Sequence, residues 1–309
     1  MRFYSKFLAV AGAMGLSAAT SATPLNDYNL ILFGDLNPIY SVHVHGNSFI
    51  GGDLKGSSPE FANHLDKSLT IDTVEVAGDL LASGWTKVNA GQLAYGGSNN
   101  LGGVNCNGNP YGGSASCLHQ VTGLDEKAAE LYSTLQAESA YYQNLTPTGT
   151  VDLVNDIFTY TGFATDLAVF NISGADLFSQ NSNWKLDFGS AQKVVINVSG
   201  TVMGNPGSVN LTGSGFSDYS NILWNFYEAT DINFGNNWKG SVLAIDAVVD
   251  TRNDFDGSLA AKSYIGSGQI HNVRWDFTPP PVEVAEPSVL MLLMMGLGLI
   301  GLGRLRRRN

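Results

Sequence analysis

Short β-branched runs that close at glycine corners recur along this chain, and no other feature restricts its fold as much. Val42-His43-Val44-His45-Gly46-Asn47-Ser48-Phe49-Ile50-Gly51-Gly52-Asp53-Leu54 and Thr73-Val74-Glu75-Val76-Ala77-Gly78-Asp79-Leu80-Leu81 each alternate along a strand and then turn at Gly-Asn or Gly-Asp. Residues 193–200, 221–226, 240–245 and 257–262 repeat the pattern. Runs this short cannot bury a face alone, and spacings of roughly 15 to 25 residues suit stacked coils. In the final third Trp224, Val242 and Leu259 advance by steps of 18 and 17 residues, one rung per coil. The expected fold is mainly β, a right-handed parallel β-helix or solenoid. A β-sandwich, which also has many short strands, is the alternative.

One segment departs from this pattern. Leu124, Ala128, Leu131 and Leu135 share a helical face, which predicts one long helix over about 123–143 flanking the solenoid, with Asp125 and Glu126 favourably placed at its N-terminus. Cys106 and Cys117 bracket a Gly/Asn/Ser loop. In an exported chain that spacing predicts a disulfide, whereas a metal pair would need shorter ligand spacing and further cysteines. Hydrophobic residues at 44% supply enough apolar surface for a core. Between Asp27 and Glu286 lie ten of the 16 basic residues and all 27 acidic ones, a net of −17. So acidic a body repels phosphate backbones and excludes nucleic acid as a partner.

The two ends carry addresses. Arg2 and Lys6, the apolar stretch 7–16 and the small residues Thr20-Ser21-Ala22 form a secretory leader over 1–22, with cleavage expected between Ala22 and Thr23. The body is expected over 23–278, followed by a stiff proline-rich spacer over 279–285. Then come Ala285-Glu286-Pro287, an apolar membrane helix over 288–303 and Arg304, Arg306, Arg307 and Arg308. The tail 286–309 closely resembles the PEP-CTERM sorting signal of Gram-negative bacteria, with Ala285 standing where that pattern has its first proline. The resemblance implies export through the inner membrane, a transiently membrane-anchored precursor, recognition by an exosortase, removal of the tail and release to the cell surface or extracellular matrix. Gly296-Leu297-Gly298-Leu299-Ile300-Gly301 lies in this tail without a βαβ context, so it reads as membrane-helix glycines rather than a dinucleotide site.

Residues 26–36, the Gly51-Gly52-Asp53 corner, 76–80, 91–97 and the closing 266–272 resemble the choice-of-anchor A family, which couples one adhesin-like domain to varied anchors. The likeness spans about residues 26–277. The expected architecture is also similar to ice-binding β-helix proteins, which place a long helix beside a solenoid. Their flat threonine ranks have no counterpart here, because the sequence holds no Thr-x-Thr ladder.

Compact catalytic signatures are missing: there is no G-x-S-x-G, no phosphate-binding P-loop and no H-E-x-x-H. No catalytic or cofactor-binding residue is therefore assigned. Among metal candidates, His43 and His45 alternate along one strand and so share a face, with His64 downstream. Asp250, Asp254 and Asp256 before Gly257 resemble part of a calcium loop, although Arg252 and Ser263 occupy ligand positions of the EF-hand template. Both sets have ordinary surface or turn roles as alternatives; weakly bound calcium suits the acidic body. Trp85, Tyr95, Tyr111, Trp238 and Tyr264 are candidate platforms for sugar rings or core residues. The sequence thus points to an exported, non-enzymatic adhesin or biofilm-associated protein that binds extracellular polysaccharide or a cell-surface ligand. A polysaccharide lyase or hydrolase on the same scaffold is the alternative.

Overall fold

The computed structural model describes residues 22–280 except 107, 113–115, 164–166, 180–181, 205–208 and 278. The leader through Ser21, the sorting motif at Ala285, Glu286 and Pro287, the expected membrane helix and the terminal arginines all lie outside the described residues. Among the described residues no helix is long and apolar enough to cross a membrane.

Each coil of the chain passes through the same stations. Leu30–Leu32, Ser48–Ile50, Asp72–Val76, Gln92–Tyr95 and Leu118–Gln120 stack in parallel in a first sheet. Val42–Val44, Glu60–Phe61, Trp85–Val88 and Gly103–Asn105 stack in parallel in a second. Between the two the chain makes single bridges, from Leu36 to Leu54 to Leu80 to Asn99. In the second half Leu167–Ser173, Lys193–Ser199, Ile222–Asn225, Ser241–Thr251 and Leu259–Tyr264 extend the first sheet. Trp238–Lys239, Phe255–Asp256 and Gly268–His271 extend the second.

The halves join because Leu259 lies opposite Leu30, and Val42 opposite Gly268. The chain therefore begins in the middle of the stack, builds one way, crosses over and returns to meet its own start. Trp224 pairs with Val242 and Val242 with Leu259, all in parallel, as the 18- and 17-residue steps require. This parallel register excludes the sandwich. The only antiparallel pair among the described strands, Gly149–Asp152 with Ile157–Tyr160, opens a four-stranded side sheet continued by Ser182–Asp187 and Val209–Leu211.

A short helix α1 (Pro24–Asp27) precedes the first strand, and the long helix α2 (Leu124–Gln143) makes the crossover. At about 1.5 Å per residue its 20 residues cover about 30 Å, roughly six strand spacings of about 4.8 Å. It lies on the outside of the first sheet. There Ile31, Phe49, Val195, Leu223, Leu243 and Ala260 point away from the solenoid core and pack with Leu124 and Leu135. The opposite faces of these strands, including Leu30, Leu32, Val74, Val76, Val194 and Ile196, fill the interior. Sheet strands buried on both faces read as continuous apolar runs, and Leu30-Ile31-Leu32 is one.

Polar anchors set the position of α2. Lys127 Nζ donates to both oxygens of the buried Glu75, which also accepts from Tyr28 Oη. Toward the other end Asn171, Asn197 and Asn225 occupy one register position on successive strands. Asn225 Nδ2 donates to Asn197 Oδ1 and Asn197 Nδ2 to Asn171 Oδ1. The same amides donate to the helix carbonyls of Tyr142 and Ser139, so a ladder within the sheet also ties down the helix.

The Gly-Asp corners form a second ladder. Asp35 Oδ1 accepts the amide of Asp53 at 2.8 Å, Asp53 Oδ1 that of Asp79 at 2.9 Å, and Asp79 Oδ1 that of Ser98 at 2.6 Å. Each carboxylate thus caps the corner of the next coil. A Cβ at Gly52 would meet Asp35 Oδ1 at 2.5 Å, and one at Gly78 would meet Asp53 Oδ1 at 2.5 Å. Glycine before the aspartate is what lets the preceding carboxylate in. Lys55 spans Asp35 and Asp53 at 2.6 and 3.0 Å. The bond from the Asp79 amide, then that from Lys55, hold the Asp53 carboxyl below its ordinary range. Near the end of this half, buried Cys106 and Cys117 are joined in a disulfide across the loop between two coils.

Candidate functional site

The second sheet presents its outward side chains in columns. His43, Glu60, Lys87 and Asn105 are in register on four successive strands. Beside them Trp85 lies opposite Gly103, and Ser41 Oγ donates to the Ser58 carbonyl. Apart from Gly103, these residues line a shallow groove of about 490 Å³.

Trp85 is its most distinctive member. The indole is 58% exposed, and a Cβ at Gly103 would touch three of its ring atoms at 3.2–3.5 Å. With no side chain at Gly103, the ring lies across the neighbouring strand and turns its other face to solvent. Glu60 sits beside it. Lys87 Nζ donates to its Oε2 at 3.0 Å, Asn89 Nδ2 to its Oε1 at 3.1 Å, and His43 Nε2 lies 3.8 Å from Oε2. Burial works to raise the Glu60 carboxyl, but the bonds from Lys87 and Asn89 outweigh it and hold the group below its ordinary value. The groove is thus a flat apolar ring flanked by fixed donors and an acceptor, the pattern that suits a sugar's C–H face and hydroxyls.

The other aromatic candidates divide differently. Trp238 and Tyr264 are buried in the core, and Tyr95 and Tyr111 are partly buried against it, so Trp85 alone of the five is exposed. The two histidines of this strand have different surroundings. His43 lines the groove, whereas His45 lies just beyond the strand's end, is buried and bonds Gln269. Its ring stacks on His64 at 3.9 Å and lies 4.8 Å from His271, and burial together with these neighbouring imidazoles lowers its pKa.

Nor do the three aspartates converge. Asp250 pairs with Arg252, Asp254 accepts the amide of Gln269, and Asp256 bonds His271 Nδ1. Among the described residues no group of three or more His, Cys, Asp or Glu is placed to hold a metal ion. Sequence reading missed Ser41, Ser58, Glu60, Lys87 and Asn105. Glu60 and Lys87 are 27 residues apart, and only the coil register brings them together.

The family model of an ice-binding-like adhesive domain matches residues 21–272. No curated protein matches the chain. Among solved structures, an ice-binding protein from the Antarctic ascomycete Antarctomyces psychrotrophicus aligns at 15% identity and a TM-score of 0.30, over 81% of this chain and 96% of that one. An ice-binding protein from an Antarctic bacterium of the Flavobacteriaceae aligns at 13% identity and a TM-score of 0.30, over 83% of this chain and 82% of that one.

Proposed function

The chain belongs to the ice-binding-like adhesive domain family, and on that premise we propose that it is an exported surface adhesin that holds an uncharged extracellular polysaccharide in the groove at Trp85. The observation that carries this reading is the exposed indole laid flat on Gly103 beside the Glu60, Lys87 and His43 cluster. A body with a net charge of −17 repels polyanions, which favours a neutral chain. The outward positions of the second sheet carry Lys239, Asp256, Gln269, His43, Glu60 and Lys87. Its one threonine, Thr86, is buried. Charged ranks of this kind suit saccharide hydroxyls better than an ice lattice.

One shallow groove binds weakly, and display of many copies on a surface multiplies the contact through effective concentration. The sorting part of the proposal follows from the tail: an exosortase would recognise Ala285-Glu286-Pro287 and the arginines, place the body outside the cell and make it biofilm-associated. The enzyme alternative fits less well. Glycoside hydrolysis uses two carboxyl groups, one of them a general acid with a raised pKa. The groove is lined by one carboxylate, Glu60, and that one is held low.

The test is to incubate residues 22–280 with neutral polysaccharide from the producing organism and measure retention and chain length together. Saturable retention without shortening is the expected result. Shortening would establish the enzyme, and no retention would remove the groove as an adhesive site.

A further inference from the structure

Glu138 of α2 is buried, 8% exposed, and Thr23 Oγ1 donates to its Oε2 at 2.8 Å. Burial pushes this carboxyl up to about 7, against the smaller opposing effect of the Thr23 bond. The charged groups on the surrounding elements are engaged elsewhere. Lys193 pairs with Asp276 and donates to Asn221, Arg274 donates to the Asn26 carbonyl and to Asn272, and Asp27 on α1 is exposed. Tyr142, one turn on, is a buried phenol that receives the Trp275 indole N–H, and Tyr141 is its neighbour. Among the described residues no Lys, Arg or His forms an ion pair with Glu138.

Thr23 is wholly buried while Ala22 is exposed, and the compact unit of the fold begins at Ala22. The Ala22–Thr23 bond is also where the leader is expected to be cut. The Thr23 nitrogen lies three covalent bonds from the hydroxyl that already reaches the carboxylate. We propose that Glu138 is a built-in receptor for the chain's own new N-terminus: hydrolysis of the Ala22–Thr23 peptide bond by a leader peptidase turns a neutral amide into an α-ammonium that pairs with Glu138. One water is consumed, Ala22 leaves as a carboxylate, and Thr23 keeps the proton as an ammonium. Leader removal thereby supplies the cation that the buried carboxylate lacks, and the exported body becomes more stable than the precursor.

The experiment compares two forms of the body, one with Thr23 as a free first residue and one with Ser21-Ala22 retained ahead of it. At pH 7.5 the Thr23 form should melt roughly 5 °C higher, because the ammonium removes the penalty of an uncompensated buried charge. An ammonium whose pKa is raised by its partner stabilises fully below the ordinary amine value of about 7.7–8.0, and that stability is lost as pH rises through the folded value. The advantage should therefore shrink in alkali. It should shrink in acid as well, once Glu138 protonates. Glu138→Gln should abolish it at every pH. If that variant does not fold, carboxyl-carbon NMR of the two unsubstituted forms decides, with Glu138 titrating near 7 in the extended form and well below in the Thr23 form. Equal melting points at pH 7.5, an advantage that survives Glu138→Gln, or the same Glu138 titration in both forms would each overturn the proposal.

Discussion

Gly78→Ala tests the corner ladder with a single methyl group. Gly78 is not in the left-handed region, so alanine brings no backbone strain and the cost is steric. The new Cβ would lie 2.5 Å from Asp53 Oδ1 and 2.6 Å from the Gly52 carbonyl oxygen. Either the coils part or the Asp53 carboxylate swings away from the Asp79 amide that it now accepts at 2.9 Å. Overpacking costs about 1–3 kcal/mol, and losing a hydrogen bond to a charged acceptor about 1.5–3 kcal/mol. By either route the cost is about 1–3 kcal/mol, a sizeable share of a typical domain's stability of about 5–15 kcal/mol. Equilibrium urea unfolding measures it. In an Asp53→Ala background one of the two clashes is already gone, so Gly78→Ala should cost about 1–2 kcal/mol less there. A single variant within about 0.5 kcal/mol of the parent, or strictly additive variants, would refute the claim that each carboxylate caps the next coil.

Three further outcomes are expected. Replacing Cys106 and Cys117 together by serine should lower stability by about 3 kcal/mol through the longer freedom of an 11-residue loop in the unfolded chain, read from denaturant midpoints under non-reducing conditions. Asn197→Ala should cost about 2–4 kcal/mol, because it removes donors to Asn171 and to the Tyr142 carbonyl and leaves Asn225 without its acceptor; amide exchange should quicken at the C-terminal end of α2. On acidification the melting temperature should fall below about pH 4. Asp53 and Glu60 have lowered carboxyl values, so their stabilisation is present above the ordinary range and is lost as pH drops through the folded values. A melting temperature that stays flat down to pH 2 would contradict this.

Much of the scaffold was legible because it rests on local chemistry. The alternation of Val42–Val44, the Gly52-Asp53 and Gly78-Asp79 corners and the 18- and 17-residue steps each reflect one coil's own needs. The helix showed itself by period, and the structure bounds it at Leu124–Gln143. What could not be read depends on which coil stacks on which. Nothing near Leu30 says that it pairs with Leu259, so the start in mid-stack was hidden. Single-residue bridges at Leu36, Leu54 and Leu80 carry no periodic signal. The groove was hidden for the same reason. Trp85 was singled out with four other aromatics, and only the absence of a side chain at Gly103, one coil on, distinguishes it. Polar burial was equally opaque: Glu138 lies near the apolar face of its helix, and its partner is 115 residues away.

The adhesive reading stands on Trp85, and calorimetric titration of one neutral polysaccharide into residues 22–280 and into their Trp85→Ala variant tests it most directly. An exposed aromatic platform of this kind should carry about 0.5–1.5 kcal/mol, so the variant should bind roughly two- to tenfold more weakly while melting within about 1 °C of the parent. Equal affinity in the two proteins would contradict the account, since the exposed indole would then have no part in what the surface holds.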